Sequence, residues 1–363
     1  MLKMCILNQS SKFNSSNIYF KKDFCKCMIS KKNMDNIDNL GMYKIYDKWP
    51  EIAKEAYEID ESSIELENID NIIFAGMGGS GAIGDIFSSI LSKTDKHVSI
   101  VKGYHLPKTV DANTLVVTTS VSGNTSETLR VLEEAKKTDT NIVAFSSNGK
   151  MEKYCKSNNI SHKIIPEFHS PRASFTVYLY GMLKILKPIL PINEKDIKES
   201  IEKLFELREK ISSSNLVKEN PSLELAEWIH GIPLIYYPWG LQASAIRFKN
   251  SLQENSKTHV ITEDVVEACH NGIVSWEKSS NVNPMLIQGT DDYKKTKERW
   301  KILKEYFDSN GIEYKEIFSE KGSIITKVIN LIYYLDYTSI YYSVINGVDP
   351  TPVKSIDYIK KRL

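Results

Sequence analysis

Two short segments concentrate small and hydroxyl-bearing residues directly after runs that read as β-strands. The first, Gly76-Met77-Gly78-Gly79-Ser80-Gly81, follows the Ile-rich run 71–75 and matches the G-x-G-x-x-G spacing of a dinucleotide loop. That spacing alone is weak. A nicotinamide site also needs a carboxylate at the end of the next strand for the ribose hydroxyls, and the run 97–101 leads instead into Lys102. What remains is a turn with little side-chain bulk at Gly79, the Ser80 hydroxyl, and a helix N-terminus behind them. This suits a small anion, and reads equally well as a tight strand-to-helix turn without a ligand. The second segment tips the balance. Ser120, Ser122, Gly123, Asn124, Thr125 and Thr128 crowd the exit of the strand 114–120 and the start of the helix 126–136. One hydroxyl is enough to cap a helix. Three here, with free backbone N–H groups, make a phosphate cradle that needs no Lys or Arg.

Positioning these loops requires alternating strands and helices. Apolar residues Ile45, Trp49, Ile52, Ala53 and Ala56 recur at helical spacing over 43–58. Strands are expected at 71–75, 97–101, 114–120, 141–145 and 162–165. Helices are expected at 82–91, 126–136, near 150, and at 172–186, where Pro188 and Pro191 stop the last. A charged helix over 194–212 leads to a second unit beginning near 222. Its strands are expected at 232–237, 285–288 and 313–318, and its helices at 242–254 and 294–310. The run 324–344 comes nearest to a membrane span, but Lys327 and Asp336 interrupt it, and it reads as a buried core helix. The alternation predicts an α/β fold of two doubly wound parallel-sheet domains, each a three-layer α/β/α arrangement, with ligands beyond the carboxyl ends of the strands. The expected organisation is an extension over 1–41, a first domain over 42–192, a linker helix within 193–220 and a second domain over 221–363. Of the extension, the first 33 residues are rich in Lys, Ser and Asn, with Asp23 as their one acid. They read as unstructured, or as the product of a start codon placed too early.

Composition narrows the class. Lys plus Arg (47) nearly balances Asp plus Glu (46), which argues against a general nucleic-acid binder while leaving room for a locally basic pocket. Three of the cysteines lie within the first 27 residues, and Cys155 and Cys269 are far apart. No spacing resembles a zinc site, a disulfide framework is not expected, and a reducing cytoplasm is the default compartment.

The two loops together resemble the sugar isomerase (SIS) domain, in which a Ser/Thr-rich loop binds a sugar phosphate. Further segments narrow the match: Ser170-Pro171-Arg172-Ala173, Phe248-Lys249-Asn250 through Glu254-Asn255, His270-Asn271, and the tail Gly347-Val348-Asp349-Pro350-Thr351-Pro352-Val353. Together, from about residue 43 to the C-terminus, they resemble the bifunctional phosphoglucose/phosphomannose isomerase family. The resemblance implies two SIS domains and a homodimer with active sites near the subunit interface. It implies a cytoplasmic enzyme acting on hexose 6-phosphates with no cofactor and no metal, and neither a nucleic acid nor a membrane as partner. Ser80, Ser120, Ser122 and Thr125, with Gly79, would hold the phosphate. Glu254 would move a proton between C1 and C2, and Arg172 would stabilise the enediolate. His270 would help open the sugar ring, reaching in from the partner subunit, and Lys360 would assist, with Lys361 the alternative if the register slips by one. The chain departs from the family pattern at Gly272, where an acid is usual, at Ser275, where a Gly precedes the Trp, and at Thr258, where a Pro is common.

The residue types fit that chemistry. A carboxylate can carry a proton between C2 and C1. The charge growing on oxygen needs a fixed cation, and Arg is always charged. A held phosphate supplies orientation from a part of the substrate that does not react. Taken singly, Glu254 reads as a surface acid, His270 as structural, Arg172 as a turn residue and Lys360 as a basic tail residue; their joint occurrence in family order carries the reading. A non-catalytic SIS sensor would keep the phosphate loops but would need no Glu254, Arg172 or His270. A glucosamine-phosphate synthase would need a glutaminase domain, and none fits before residue 43.

Overall fold

A computed structural model describes residues 29–217 and 219–363 of the chain. It opens with α1 (Lys31–Ile37), α2 (Met42–Tyr46) and α3 (Trp49–Tyr57). The single helix expected over 43–58 is therefore two. Pro50, in the first turn of α3, lacks an N–H and cannot extend α2. Between the two helices, the Asp47 carboxylate accepts from Ser213 and the Tyr337 hydroxyl. Of the extension expected over 1–41, residues 1–28 lie outside the described residues. In the remainder α1 buries Met34, and Asp38 accepts the Tyr43 N–H at 2.8 Å.

The first unit continues with β1 (Asn71–Ala75), α4 (Gly78–Leu91), β2 (His97–Val101), β3 (Thr114–Thr119) and α5 (Ser126–Ala135). It ends with β4 (Asn141–Ser146), α6 (Gly149–Ser157), β5 (Ser161–Ile164) and α7 (Phe175–Ile185). The connecting helix α8 (Glu194–Ile211) begins with a reciprocal Asn193–Asp196 capping box. The second unit comprises α9 (Pro221–Trp228), β6 (Ile232–Tyr237), α10 (Gln242–Ser256), β7 (Ile261–Asp264), α11 (Val265–Ala268), β8 (Val282–Gln288) and α12 (Lys294–Ser309). It closes with β9 (Lys315–Phe318), α13 (Ile324–Ile345) and α14 (Lys354–Lys360).

Both sheets are parallel, as the alternation predicts. Their strand orders are β2-β1-β3-β4-β5 and β7-β6-β8-β9, so the second repeats the first through four strands. In each unit the order reverses between the first and third strands, and the loops leaving those strands border a ligand crevice. Strand β7, Ile-Thr-Glu-Asp on a sheet edge, was not expected: two of its four residues are acids and none is buried.

Burial follows the period of two along each strand. On β1, Ile72 and Phe74 enter the large core while Ile73 and Ala75 face a smaller cluster. On β6, Ile235 and Tyr237 enter that same large core while Leu234 and Tyr236 face outward under α12. One apolar core thus joins the inner faces of both sheets. Helix α13 lies in it, buried over most of its circumference. Its two charges are answered: Lys327 pairs with Asp291 at 2.7 Å and Asp336 with Arg247 at 2.7 Å.

Candidate active site

The glycine turn after β1 is shorter than expected. Helix α4 starts at Gly78 rather than at 82, so Gly79 and Ser80 belong to its first turn, and no side chain caps it. A Cβ on Gly76 would lie 3.0 Å from the Thr119 carbonyl oxygen and 3.1 Å from the Ser80 Cβ, so β1 and β3 deliver their loops side by side. Beyond β3, Ser120 Oγ and Thr125 Oγ1 are 3.0 Å apart. Thr125 is the N-cap residue of α5 but makes no capping hydrogen bond. The ordinary capping role weighed for this loop is therefore not the one its hydroxyl plays. Ser122 Oγ accepts from the Asn124 N–H at 3.4 Å. Gly123, at φ +64, admits no other residue: a Cβ there would lie 1.7 Å from the Asn148 carbonyl oxygen. Two uncapped helix N-termini and a set of hydroxyls thus meet at the crevice between β1 and β3, a favourable setting for a phosphate.

Arg172 was expected to open a helix. It lies instead in the turn before α7. The Ser174 hydroxyl fixes that turn, accepting from the Phe168 N–H at 2.8 Å and donating to the Ser170 carbonyl at 2.9 Å. The turn passes over the glycine segment, where a Cβ on Gly79 would be 3.5 Å from Arg172 Cα. The buried Arg172 guanidinium then crosses into the second unit. Its Nε donates to Asn255 Oδ1 at 2.9 Å and its Nη2 to the carbonyls of Pro350 and Thr351 at 2.5 and 2.9 Å. Its Nη1 lies 3.4 Å from Glu254 Oε2. These bonds use four of the five N–H groups and leave one on Nη1, beside the carboxylate. Because the other acceptors are neutral, the charge is held in place without being cancelled.

Glu254 projects from the last turn of α10, half-buried, into a cleft of about 1020 Å³. Gly78, Lys257, His259, Asp349 and Val353 are among the residues that line it; the 120–125 loop is not. The chain therefore brings Glu254 and Arg172 together over the glycine turn, with the hydroxyl loop following β3 beside that turn but outside the lining of this cleft.

His270 is not part of this constellation within one chain. It lies exposed just beyond α11, its N–H bonded to the Glu267 carbonyl. At Gly272, where the family pattern usually has an acid, the Glu263 carboxylate lies where a Cβ would stand, 2.5 Å from its position, and its flexible side chain could swing away. Glu263 occupies that space, its carboxyl pushed upward by burial and by Glu267. Lys360 is exposed at the end of α14, close enough to Glu167 for its charge to favour that carboxylate against burial.

Sequence reasoning missed the residues that hold Arg172. Arg247 on α10 donates to the Arg172 carbonyl at 2.9 Å and is paired with the fully buried Asp336, which Ser251 also bonds at 2.6 Å. The signal was present: an acid inside an apolar run must be paired when the run is buried.

Residues 218–363 match the bacterial phospho-glucose isomerase C-terminal SIS domain, and residues 65–180 match the SIS domain. The bifunctional phosphoglucose/phosphomannose isomerase of Caldicellulosiruptor bescii is 30% identical over 334 residues, covering 86% of this chain and 96% of the relative. That of Aquifex aeolicus is 30% identical over 332 residues, covering 89% and 96%. Among solved structures, the C-terminal domain of glucosamine-fructose-6-phosphate aminotransferase from Francisella tularensis superposes with a TM-score of 0.64 at 16% identity, covering 85% of this chain and 96% of that one. This last likeness is one of fold alone.

Proposed function

The chain belongs to the bifunctional phosphoglucose/phosphomannose isomerase family, and we infer that it is an aldose–ketose isomerase interconverting fructose 6-phosphate with glucose 6-phosphate and mannose 6-phosphate. The observation that carries the site assignment is the meeting of Glu254 and Arg172, from different units, at 3.4 Å above the glycine turn.

The substrate phosphate sits on Ser80, Ser120, Ser122 and Thr125 and on the N-termini of α4 and α5, with Gly79 giving close approach. His270 and Lys360 open the ring, one passing a proton to the ring oxygen while the other takes the proton of the C1 hydroxyl. Glu254 removes the C2 proton of the open aldose, leaving an enediolate charged at O1; O1 gains the proton that the C2 hydroxyl gives up, and Glu254 returns its proton to C1 as the C2 carbonyl forms. Arg172, fixed before substrate arrives, meets the negative charge on the enediolate oxygen without reorganising. Either C2 epimer that offers its proton to Glu254 enters the same enediol, which accounts for two aldose products. The enzyme acts as a cytoplasmic homodimer in which His270 of each subunit serves its neighbour. The exposure of His270 and its absence from the lining of the cleft that Glu254 enters support that arrangement.

Purified protein is assayed with fructose 6-phosphate in chelator and without nucleotide, and both hexose 6-phosphates are separated and quantified, with Glu254→Gln alongside. Both epimers are expected, and the substitution should lower kcat about 10²- to 10⁴-fold, the span of general base catalysis, with folding unchanged. Formation of glucose 6-phosphate alone would remove the dual specificity. Binding without either product would make the chain a sensor.

A further inference from the structure

Lys257 ends α10 in the left-handed conformation, φ 58 and ψ 33, where glycine is the usual residue and a lysine pays a steric cost. The residue is exposed, but its side chain folds back onto the backbone. The Nζ donates to the carbonyls of Glu254 at 2.8 Å and Asn255 at 3.2 Å, the last turn of α10. It also reaches across the cleft to the carbonyls of Asp349 at 3.0 Å and Pro350 at 3.4 Å. The Pro350 carbonyl is the same one that Arg172 Nη2 holds at 2.5 Å, and Arg172 Nε holds the side chain of Asn255. Two cations thus share one acceptor. A helix cap alone would need only the first two carbonyls, and a glycine would adopt the backbone conformation more easily.

We propose that Lys257 is a positioning residue. Its amine ties the end of α10, which carries Glu254, to the 349–351 turn that holds Arg172 and leads into α14 with Lys360. The proposal rests on the isomerase reading above. Two site residues from different units converge on this amine, Glu254 directly through its carbonyl and Arg172 through the shared Pro350 carbonyl, and none of the phosphate-holding residues does. Losing it should therefore slow the chemistry and leave substrate capture nearly intact. Burial, followed by the Arg172 charge, lowers the pKa of the amine, as expected for a lysine tip drawn in among carbonyls beside another cation.

Lys257→Gly is the discriminating variant, because glycine relieves the left-handed backbone while removing the amine. With fructose 6-phosphate, kcat is expected to fall roughly 10- to 100-fold, the cost of misplacing a catalytic group by about 1 Å, with KM changed less than about threefold. Hydrogen exchange over residues 349–360 should speed up in the variant. An unchanged kcat, or a loss confined to KM, would overturn the proposal. The exchange measurement does not depend on activity. If the wild type fails to isomerise, the isomerase reading has failed, and unchanged protection of 349–360 would then separately refute the clamp.

Discussion

The two units share a strand order through four strands, and each presents the loops of its first and third strands at one crevice, yet the two crevices are lined differently. Caps do not separate them, since α4 and α5 of the first and α10 and α12 of the second all begin without side-chain caps; the difference is that the β3 loop offers Ser120, Ser122 and Thr125 around a glycine. In the second, the loop after β8 runs Gly289-Thr290-Asp291-Asp292. There Asp292 accepts the Gly289 N–H at 3.0 Å and the Trp300 indole N–H at 3.1 Å. A carboxylate of the chain itself takes the bonds an incoming phosphate would make, and Asp291 beside it adds repulsion. After β6, where the first unit has its glycine turn, Trp239 stands 71% exposed. The second unit contributes the opposite end of its first helix instead, since Glu254 projects from the C-terminus of α10. Repeating a fold yields two crevices, and side chains decide which one binds and which unit lends its chemistry to the other.

The largest expected effect comes from breaking the buried ion pair of the second unit that backs the Arg247–Arg172 contact between the units. Asp336→Asn leaves Arg247 buried and unpaired, which should lower unfolding stability by about 3–5 kcal/mol, read as a shift in denaturant midpoint. Replacing both residues, Arg247→Met with Asp336→Leu, should recover most of that stability. It should not recover the rate, because the Arg172 carbonyl would still lack its Arg247 donor. Full recovery of both would mean that the pair serves stability alone and does nothing for Arg172.

The fold was largely legible because its elements obey simple periods. The strands 71–75, 97–101 and 232–237 and the apolar helix beginning at 324 were read almost to the residue, since each is apolar and bounded by turn residues or charges. The failures were local. Pro50 split one helix, the glycines at 78 and 79 entered α4, and Ser174 pulled Arg172 out of α7. In each case one side chain or one missing N–H overrode the periodicity. The individual site residues were legible only through their combination. What could not be read was the second tier, Arg247, Asp336 and Lys257, because their partners are backbone carbonyls and side chains distant in sequence.

A smaller effect should follow from weakening the first crevice. Ser120→Ala combined with Thr125→Val removes the hydroxyl pair while leaving α5 intact, because Thr125 does not cap it. Hydrogen bonds to a charged group contribute about 1.5–3 kcal/mol, so KM for fructose 6-phosphate should rise roughly 10- to 100-fold with kcat little changed. A fall confined to kcat would move the phosphate away from this loop and reopen the question of which crevice holds it.

The smallest effect tests the second crevice directly. Thr290 is the hydroxyl residue of the loop leaving β8, and its hydroxyl is enclosed without a hydrogen-bond partner. Valine keeps the shape and removes that unpaired group, so Thr290→Val should change stability by no more than about 0.5 kcal/mol and in the favourable direction. The backbone of the loop is held independently, since Lys297 donates to the Thr290 carbonyl at 2.8 Å and Asp292 holds the Gly289 N–H. Neither bond involves the hydroxyl. KM and kcat for fructose 6-phosphate should therefore both stay within about twofold of wild type, less than one hydrogen bond to a charged group would cost. A tenfold rise in KM would mean that the hydroxyl is unpaired because it waits for substrate. The asymmetry between the two crevices would then be one of degree, with the acids at 291 and 292 tuning the second site rather than closing it.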